Sequence, residues 1–246
     1  MYAIIGGTGL SGAGDFPELD HKAVVTPYGD VTLARHQARG GAFYFLARHG
    51  NDHAVPPHRI NYRANVWALK EVGVERICAV NAVGGIHARL GPGNLAVPDQ
   101  LIDYSWGRES TFYDGADGVQ HIDFTDPYDD QLRTAIVAAA RVVIQAGDCA
   151  DRDLLDRGVF GNTQGPRLES AAEIRRMQTD GCDMVGMTAM PEAALARELG
   201  MAYGCLALSV NWAAGLGEDV ISLEQMGRIV EQCGHCINLF LQQLLD

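Results

Sequence analysis

The sequence predicts an α/β fold, a mixed central β-sheet flanked by helices and formed as one domain over residues 1–246. Three observations predict it. Short apolar runs alternate with longer stretches whose apolar residues recur at helical spacing. The segment between Val24 and Ala47 reads instead as hairpins, which makes the sheet mixed rather than all parallel. No internal repeat, low-complexity tract or Pro/Ser-rich linker marks a boundary in a chain of 246 residues, 47% hydrophobic and 20% charged, a length and balance that one globular domain accommodates.

Taken in order, the strands are the apolar runs Ala3 to Ile5, Phe43 to Ala47, Ile77 to Asn81 and Tyr203 to Ser209. The helices are Asn61 to Val72, Asp130 to Ala146, Ser170 to Thr179, Pro191 to Leu199 and Ser222 to Leu245. Capping residues or Pro stand at several of their starts, with Ser170 in cap position and Pro191 opening its own helix.

Composition excludes several classes of function. With 19 basic and 31 acidic residues the formal charge is −12, and no Lys/Arg block offers a surface to a nucleic acid backbone. Any phosphate the protein handles is therefore small. No apolar run approaches the roughly 20 residues of a membrane span, and the N-terminus has no basic flank or cleavage site, so no membrane partner and a cytoplasmic location are expected. The six cysteines, at 78, 149, 182, 205, 233 and 236, lie in apolar or helical surroundings and read as reduced core thiols. Cys233-Gly234-His235-Cys236 has suggestive metal-ligand spacing, but no further ligands lie nearby, so two half-buried thiols and no metal are expected.

Chemistry gathers where strands end. Gly7-Thr8-Gly9-Leu10-Ser11-Gly12 matches G-x-G-x-x-G, yet the following Ala13-Gly14-Asp15-Phe16-Pro17 cannot make the helix that would hold a pyrophosphate. What survives is Gly6-Gly7-Thr8-Gly9 as a turn able to present backbone N–H groups and the Thr8 hydroxyl to one anion, or else a plain tight turn. Arg48-His49-Gly50 closes a second strand with a cationic fork and an imidazole, suited to an anion or simply solvated. Asn81-Ala82-Val83-Gly84-Gly85 closes a third, and ligands of open α/β sheets gather at such carboxyl ends. In Gly165-Pro166-Arg167-Leu168-Glu169-Ser170, Glu169 is a candidate site acid or a first-turn carboxylate favoured by the helix dipole. Val185-Gly186-Met187-Thr188-Ala189-Met190-Pro191-Glu192 places a hydroxyl between a strand and a helix. Asn211-Trp212-Ala213-Ala214-Gly215 ends the last strand with an amide beside an aromatic, a pairing suited to a planar heterocycle or to a buried Trp with a satisfied Asn.

Gly-Gly-Thr-Gly, Arg-His-Gly, Asn61-Tyr62-Arg63-Ala64-Asn65-Val66-Trp67-Ala68-Leu69-Lys70, Gly-Pro-Arg and Gly-Met-Thr-Ala-Met-Pro-Glu, in this order over nearly the whole chain, resemble the trimeric purine nucleoside phosphorylases, and among them the 5′-methylthioadenosine phosphorylases. The resemblance implies phosphorolysis: inorganic phosphate, the co-substrate, attacks C1′ of a purine nucleoside, with no cofactor or metal. It further implies that Thr8, Arg48, His49 and Thr188 hold phosphate with Asn81 and Ala82 near phosphate and ribose, although the family usually has a hydroxyl where Asn81 stands. Met187 would lie under the ribose, and Leu168, Glu169, Asn211, Trp212 and Ala213 would surround the base, with Asn211 in the catalytic role at purine N7. Leu223 and Met226 would face the 5′ group. His121 resembles a residue that reaches a neighbouring subunit's site, which implies a homotrimer.

The base pocket departs from the methylthioadenosine phosphorylases, which carry aspartates where this chain has Asn211 and Ala213. A 6-oxopurine offers an O6 acceptor and an N1–H donor, whereas adenine reverses both. Glu169 and Asn211 match the oxo pattern. The expected substrate is therefore S-methyl-5′-thioinosine, in purine salvage, with inosine or guanosine and then methylthioadenosine as alternatives and a nucleoside-binding protein without turnover as the non-enzymatic one.

Overall fold

The computed structural model describes residues 1–8, 10, 12–50, 54–115, 118–147, 149–218 and 220–246. Its first four strands are β1 (Tyr2–Gly6), β2 (Glu18–Thr26), β3 (Gly29–Ala38) and β4 (Gly41–Ala47). Helix α1 (Tyr62–Glu71) leads into β5 (Arg76–Gly85), followed by β6 (Leu95–Ala96), β7 (Gln100–Asp103) and α2 (Asp130–Gln145). Then come β8 (Leu154–Leu155), β9 (Val159–Asn162), α3 (Ala171–Asp180), β10 (Met184–Gly186), α4 (Glu192–Glu198), β11 (Ala202–Trp212) and α5 (Leu223–Leu245). The strands form one mixed sheet in the order β2-β3-β4-β1-β5-β10-β9-β7, with β11 along β5 and β6 and β8 beyond it. This is the α/β architecture expected, antiparallel in the β2-β3-β4 meander and parallel where β1 meets β4 and β5.

Alternation in the central strands makes two cores, because successive side chains point to opposite faces and both faces are covered. Ala3, Ile5, Ile77 and Ala79 pack with Val66, Leu69, Leu195 and Ala196 of α1 and α4. Ile4, Cys78, Val80 and Leu206 pack with Ile136, Ala140, Ile237 and Phe240 of α2 and α5. The helices begin where short polar side chains satisfy the first free N–H groups. Asn61 accepts from Ala64, Asp129 from Leu132 and Ser222 from Gln225. Ser170 and Glu173 form a reciprocal capping box on α3, so Glu173 rather than Glu169 is the first-turn carboxylate that serves the helix.

One topological feature opens the site. Strand β1 pairs with β5 only as far as Gly6 against Val80, and β10 takes up the same ladder again, antiparallel, at Gly84 and Gly85. Between them, residues 81–83 of β5 face a gap in the sheet. On the other side β11 follows β5 throughout, with a register shift between Ser209 and Asn211 that re-aims the end of the strand.

The cysteines require a correction. Cys149 and Cys236 are joined in a disulfide across 87 residues, with a Cα–Cα separation of 6.0 Å. The remaining four are buried free thiols, and Cys233 is fully buried rather than half-buried. Burial pushes the Cys78 thiol up to about 12, so it stays protonated and behaves as a small apolar side chain. Among the described residues no group of three or more His, Cys, Asp or Glu is gathered for a metal ion, and no helix is long and apolar enough to cross a membrane.

Candidate active site

A cavity of about 460 Å³ opens at the gap between β1 and β10. Its polar end is built from three strand ends. Thr8 follows β1, Arg48 and His49 follow β4, Ala82 sits in β5, and Thr188 follows β10; all five line the cavity. Arg48 is 2% exposed, and its backbone N–H bonds the Gly6 carbonyl at 2.9 Å, which sets the two loops side by side. A side chain on residue 7 would put its Cβ 2.6 Å from Arg48 Nη1, so only glycine lets the guanidinium approach this turn.

The orientation of Arg48 is imposed by a second buried charge. Its Nε and Nη2 donate to the two carboxylate oxygens of Glu192 at 2.8 and 2.9 Å, a fork-to-fork pair. Nη2 also donates to Asn81 Oδ1 at 3.1 Å, while Asn81 Nδ2 donates to the Thr188 hydroxyl at the same distance. The Tyr203 phenol donates to Glu192 at 2.8 Å. Burial works against the Arg48 charge, but the Glu192 carboxylate and its hydrogen bonds more than offset this and hold the guanidinium well above its ordinary value. Arg48 is thus permanently cationic and aimed, with Nη1 beside the Gly7 turn, donating to the Val80 carbonyl at 3.5 Å. His49 Nδ1 lies 2.8 Å from the Val55 carbonyl; as a carbonyl only accepts, Nδ1 carries the proton.

The opposite end carries a carboxylate and an amide. Glu169 Oε1 accepts from the Thr163 hydroxyl at 2.6 Å, leaving Oε2 for a ligand donor. Asn211 Nδ2 donates one hydrogen to the Trp212 carbonyl at 2.6 Å, which turns the amide so that its second N–H and its Oδ1 remain for a ligand. Both residues line the cavity, as do Leu168 and Met187 between the two ends. Val55, Ile221, Leu223 and Met226 form an apolar wall, with Leu223 83% exposed at the mouth.

The structure therefore brings Thr8, Arg48, His49, Ala82, Leu168, Glu169, Met187, Thr188, Asn211, Leu223 and Met226 to one cavity. Four other candidates lie elsewhere. Asn81 is 1% exposed and sits behind the surface, its amide already engaged by Arg48 and Thr188, so it supports those two side chains instead of lining the cavity. Trp212 packs against Gly91 and Gly217 on the far side of β11, since alternation turns it away from Asn211. Ala213 is 2% exposed in a small core with Val185 and Ile174, one layer behind Gly84. His121 is exposed and outside the lining of this chain's cavity. Gly9 and Ser11 of the first turn lie outside the described residues.

Glu192, Tyr203 and Thr163 carry contacts that the sequence reading assigned to no role. One signal was available for Glu192: a lone carboxylate inside Ala189-Met190-Pro191-Glu192-Ala193-Ala194-Leu195 sits at the start of a helix whose Ala193, Leu195 and Ala196 are buried, and a buried carboxylate requires a cation.

Comparison with known proteins identifies the family. The sequence pattern of the phosphorylase superfamily matches residues 1–246. A probable S-methyl-5′-thioinosine phosphorylase of Pseudomonas syringae pv. tomato is 51% identical over 231 residues, covering 92% of this chain and 90% of that protein. The 6-oxopurine nucleoside phosphorylase of Pyrococcus furiosus is 42% identical over 238 residues, covering 94% and 86%. Among solved structures, methylthioadenosine phosphorylase from Schistosoma mansoni in complex with adenine superposes with a TM-score of 0.92 at 30% identity, covering 99% of this chain and 90% of that one.

Proposed function

The chain belongs to the phosphorylase superfamily, and on that premise we propose that it cleaves S-methyl-5′-thioinosine with inorganic phosphate, giving hypoxanthine and 5-methylthioribose 1-phosphate. The observation that carries the choice of base is the pairing of Glu169 Oε2 with an Asn211 amide at one end of the cavity. Glu169 accepts from N1–H, the Asn211 N–H donates to O6, and its Oδ1 accepts from N7–H. Adenine would set its N1 lone pair against the carboxylate and its amine against the Asn211 N–H, a mismatch of about 1–3 kcal/mol per polar group.

A phosphate oxygen forms the bond to C1′ as the C1′–N9 bond breaks, and the electron pair leaves with the purine, which takes up a proton from water at N7. No covalent enzyme intermediate is needed. Phosphate, held by Arg48, Thr8, His49 and Thr188, stands against the cationic sugar, while Asn211 meets the charge growing on the base. Met187 floors the ribose, and the wall of Val55, Ile221, Leu223 and Met226 suits a methylthio group better than a 5′-hydroxyl, which would lack a polar partner there. That wall separates the proposal from inosine or guanosine phosphorolysis, which the same base end would serve.

The proposal includes a homotrimer in which His121 reaches a neighbouring site, no cofactor or metal, and a cytoplasmic setting in purine salvage. The test is incubation with and without phosphate of methylthioinosine, methylthioadenosine, inosine and adenosine, followed by separation of the bases. Hypoxanthine should appear fastest from methylthioinosine and only with phosphate. Release in water alone would make the protein a hydrolase, and no release a binding protein. Arg48→Ala should weaken phosphate use by about 2–3 kcal/mol, and unchanged phosphate dependence would overturn the assignment of Arg48.

A further inference from the structure

Arg108 lies outside the cavity lining, and none of its contacts is a carboxylate, yet all five of its N–H groups find acceptors. Nη1 donates to the main-chain carbonyls of Met187 at 2.8 Å and Met190 at 2.5 Å, and lies 3.3 Å from the Tyr62 hydroxyl. Nη2 donates to the carbonyls of Thr163 at 3.1 Å and Gln164 at 2.8 Å, and Nε to the Gln164 side chain at 3.2 Å. One guanidinium thus ties together two loops that are distant in sequence. The first, residues 187–190, carries Met187 and Thr188 into the cavity. The second begins at Thr163, whose hydroxyl fixes Glu169. The two loops also meet directly, since a Cβ on Gly165 would fall 2.5 Å from Met187 Sδ.

We propose that Arg108 is the positioning residue that sets the distance between the ribose floor and the base-reading carboxylate, so that nucleoside recognition depends on a cation that never touches nucleoside. The planar fork is what suits it to this task. Lys has one compact ammonium with three donors and cannot span four carbonyls on two loops. Arg108 opens onto solvent beside Tyr62 and Arg63, which makes its place reachable by a small soluble cation.

This inference rests on the proposed nucleoside reaction, and its test separates the two. Arg108→Ala and Arg108→Lys are compared with wild type for kcat and KM on methylthioinosine, for KM of phosphate, and for affinity for hypoxanthine by calorimetry. In both variants kcat/KM for the nucleoside should fall roughly 10- to 100-fold, as misplacement of reacting groups by about an ångström does. Hypoxanthine should bind more weakly, and phosphate KM should change least. Guanidinium ion at sub-denaturing concentration should restore part of the loss in Arg108→Ala and none in Arg108→Lys, a recovery that a general loss of folding would not give. Variants within about 3-fold of wild type, full activity in Arg108→Lys, or a loss that guanidinium leaves untouched would each overturn the proposal. Should Arg108→Ala fail to fold, Arg108→Lys decides on activity and hypoxanthine affinity alone. A wild-type protein that turns over no nucleoside defeats the functional reading, while the hypoxanthine arm still decides on Arg108; a wild-type protein that does not bind hypoxanthine defeats both.

Discussion

Replacing Glu192 by Gln removes one charge from the centre of the molecule and leaves the volume almost unchanged. The Arg48 and Glu192 side chains are 0% and 1% exposed, so water screens neither. Of the two charge-assisted hydrogen bonds, 2.8 and 2.9 Å long, the variant keeps one at its remaining oxygen and loses the other, where the new amide nitrogen faces an Arg48 N–H, donor against donor. Taking one partner from a buried pair costs about 3–5 kcal/mol, because the other charge stays behind unpaired. At about 2–4 °C per kcal/mol for a chain of this size, the melting temperature should fall by about 6–20 °C. Phosphate bound at Arg48 would supply negative charge in place of the lost carboxylate. Since a ligand stabilises by its affinity for the folded state, a phosphate series at constant ionic strength should raise the melting temperature of Glu192→Gln more than that of wild type. Calorimetric or fluorescence melting reads both quantities. A fall under about 2 °C, or equal phosphate shifts in the two proteins, would refute the account of how Arg48 is held.

Two further predictions concern the base end and the buried phenols. Asn211→Asp should move preference toward methylthioadenosine only in part, because the carboxyl accepts from the adenine amine while Glu169 still faces its N1; Ala213, which the resemblance also pointed to, is buried behind the cavity and is left unchanged. Adding Glu169→Gln should complete the switch, by about 1–3 kcal/mol per corrected contact; an unmoved ratio of kcat/KM for the two methylthio nucleosides in the double variant would overturn the base assignment. Burial, with Glu192 nearby, holds the Tyr203 phenol well above its ordinary value of 10.0, and burial does the same for Tyr128. The folded state keeps these protons after the unfolded chain has lost them, so their contribution is complete below pH 10 and is lost as pH rises beyond it. Denaturant unfolding across that range should show stability declining, and Tyr203→Phe should flatten the decline; identical slopes would reject it.

The parts legible in sequence are those fixed by short-range pattern. The four apolar runs became β1, β4, β5 and β11 and the five helical stretches α1 to α5, since period and capping act locally. The short strands β6 to β9 were not, because two to four residues carry too little alternation to stand out from a loop. At the site, Arg48 and Thr188 announced themselves by following strands. What positions them did not: Glu192 meets Arg48 across 144 residues and Arg108 meets Met190 across 82, partnerships that only the folded sheet creates. The Cys149–Cys236 bridge was illegible for the same reason, as both residues sit in segments that read as ordinary core.

The neutralisation of Arg48 by Glu192 bears on how phosphate gets in. The chain carries 31 acidic against 19 basic residues, and the cation at the end proposed to hold phosphate is already cancelled at a distance by its own partner. At low salt an incoming dianion therefore meets the repulsive field of the net charge, which counterions screen beyond a Debye length of about 8 Å at physiological salt, and attraction begins only inside the cavity, where the Arg48 N–H directions count for more than its net charge. Enzymes that steer their substrates electrostatically slow down as ionic strength rises. Here the sign is reversed: salt removes an obstacle, and the ionic medium of the cell becomes part of what allows phosphate to reach the site.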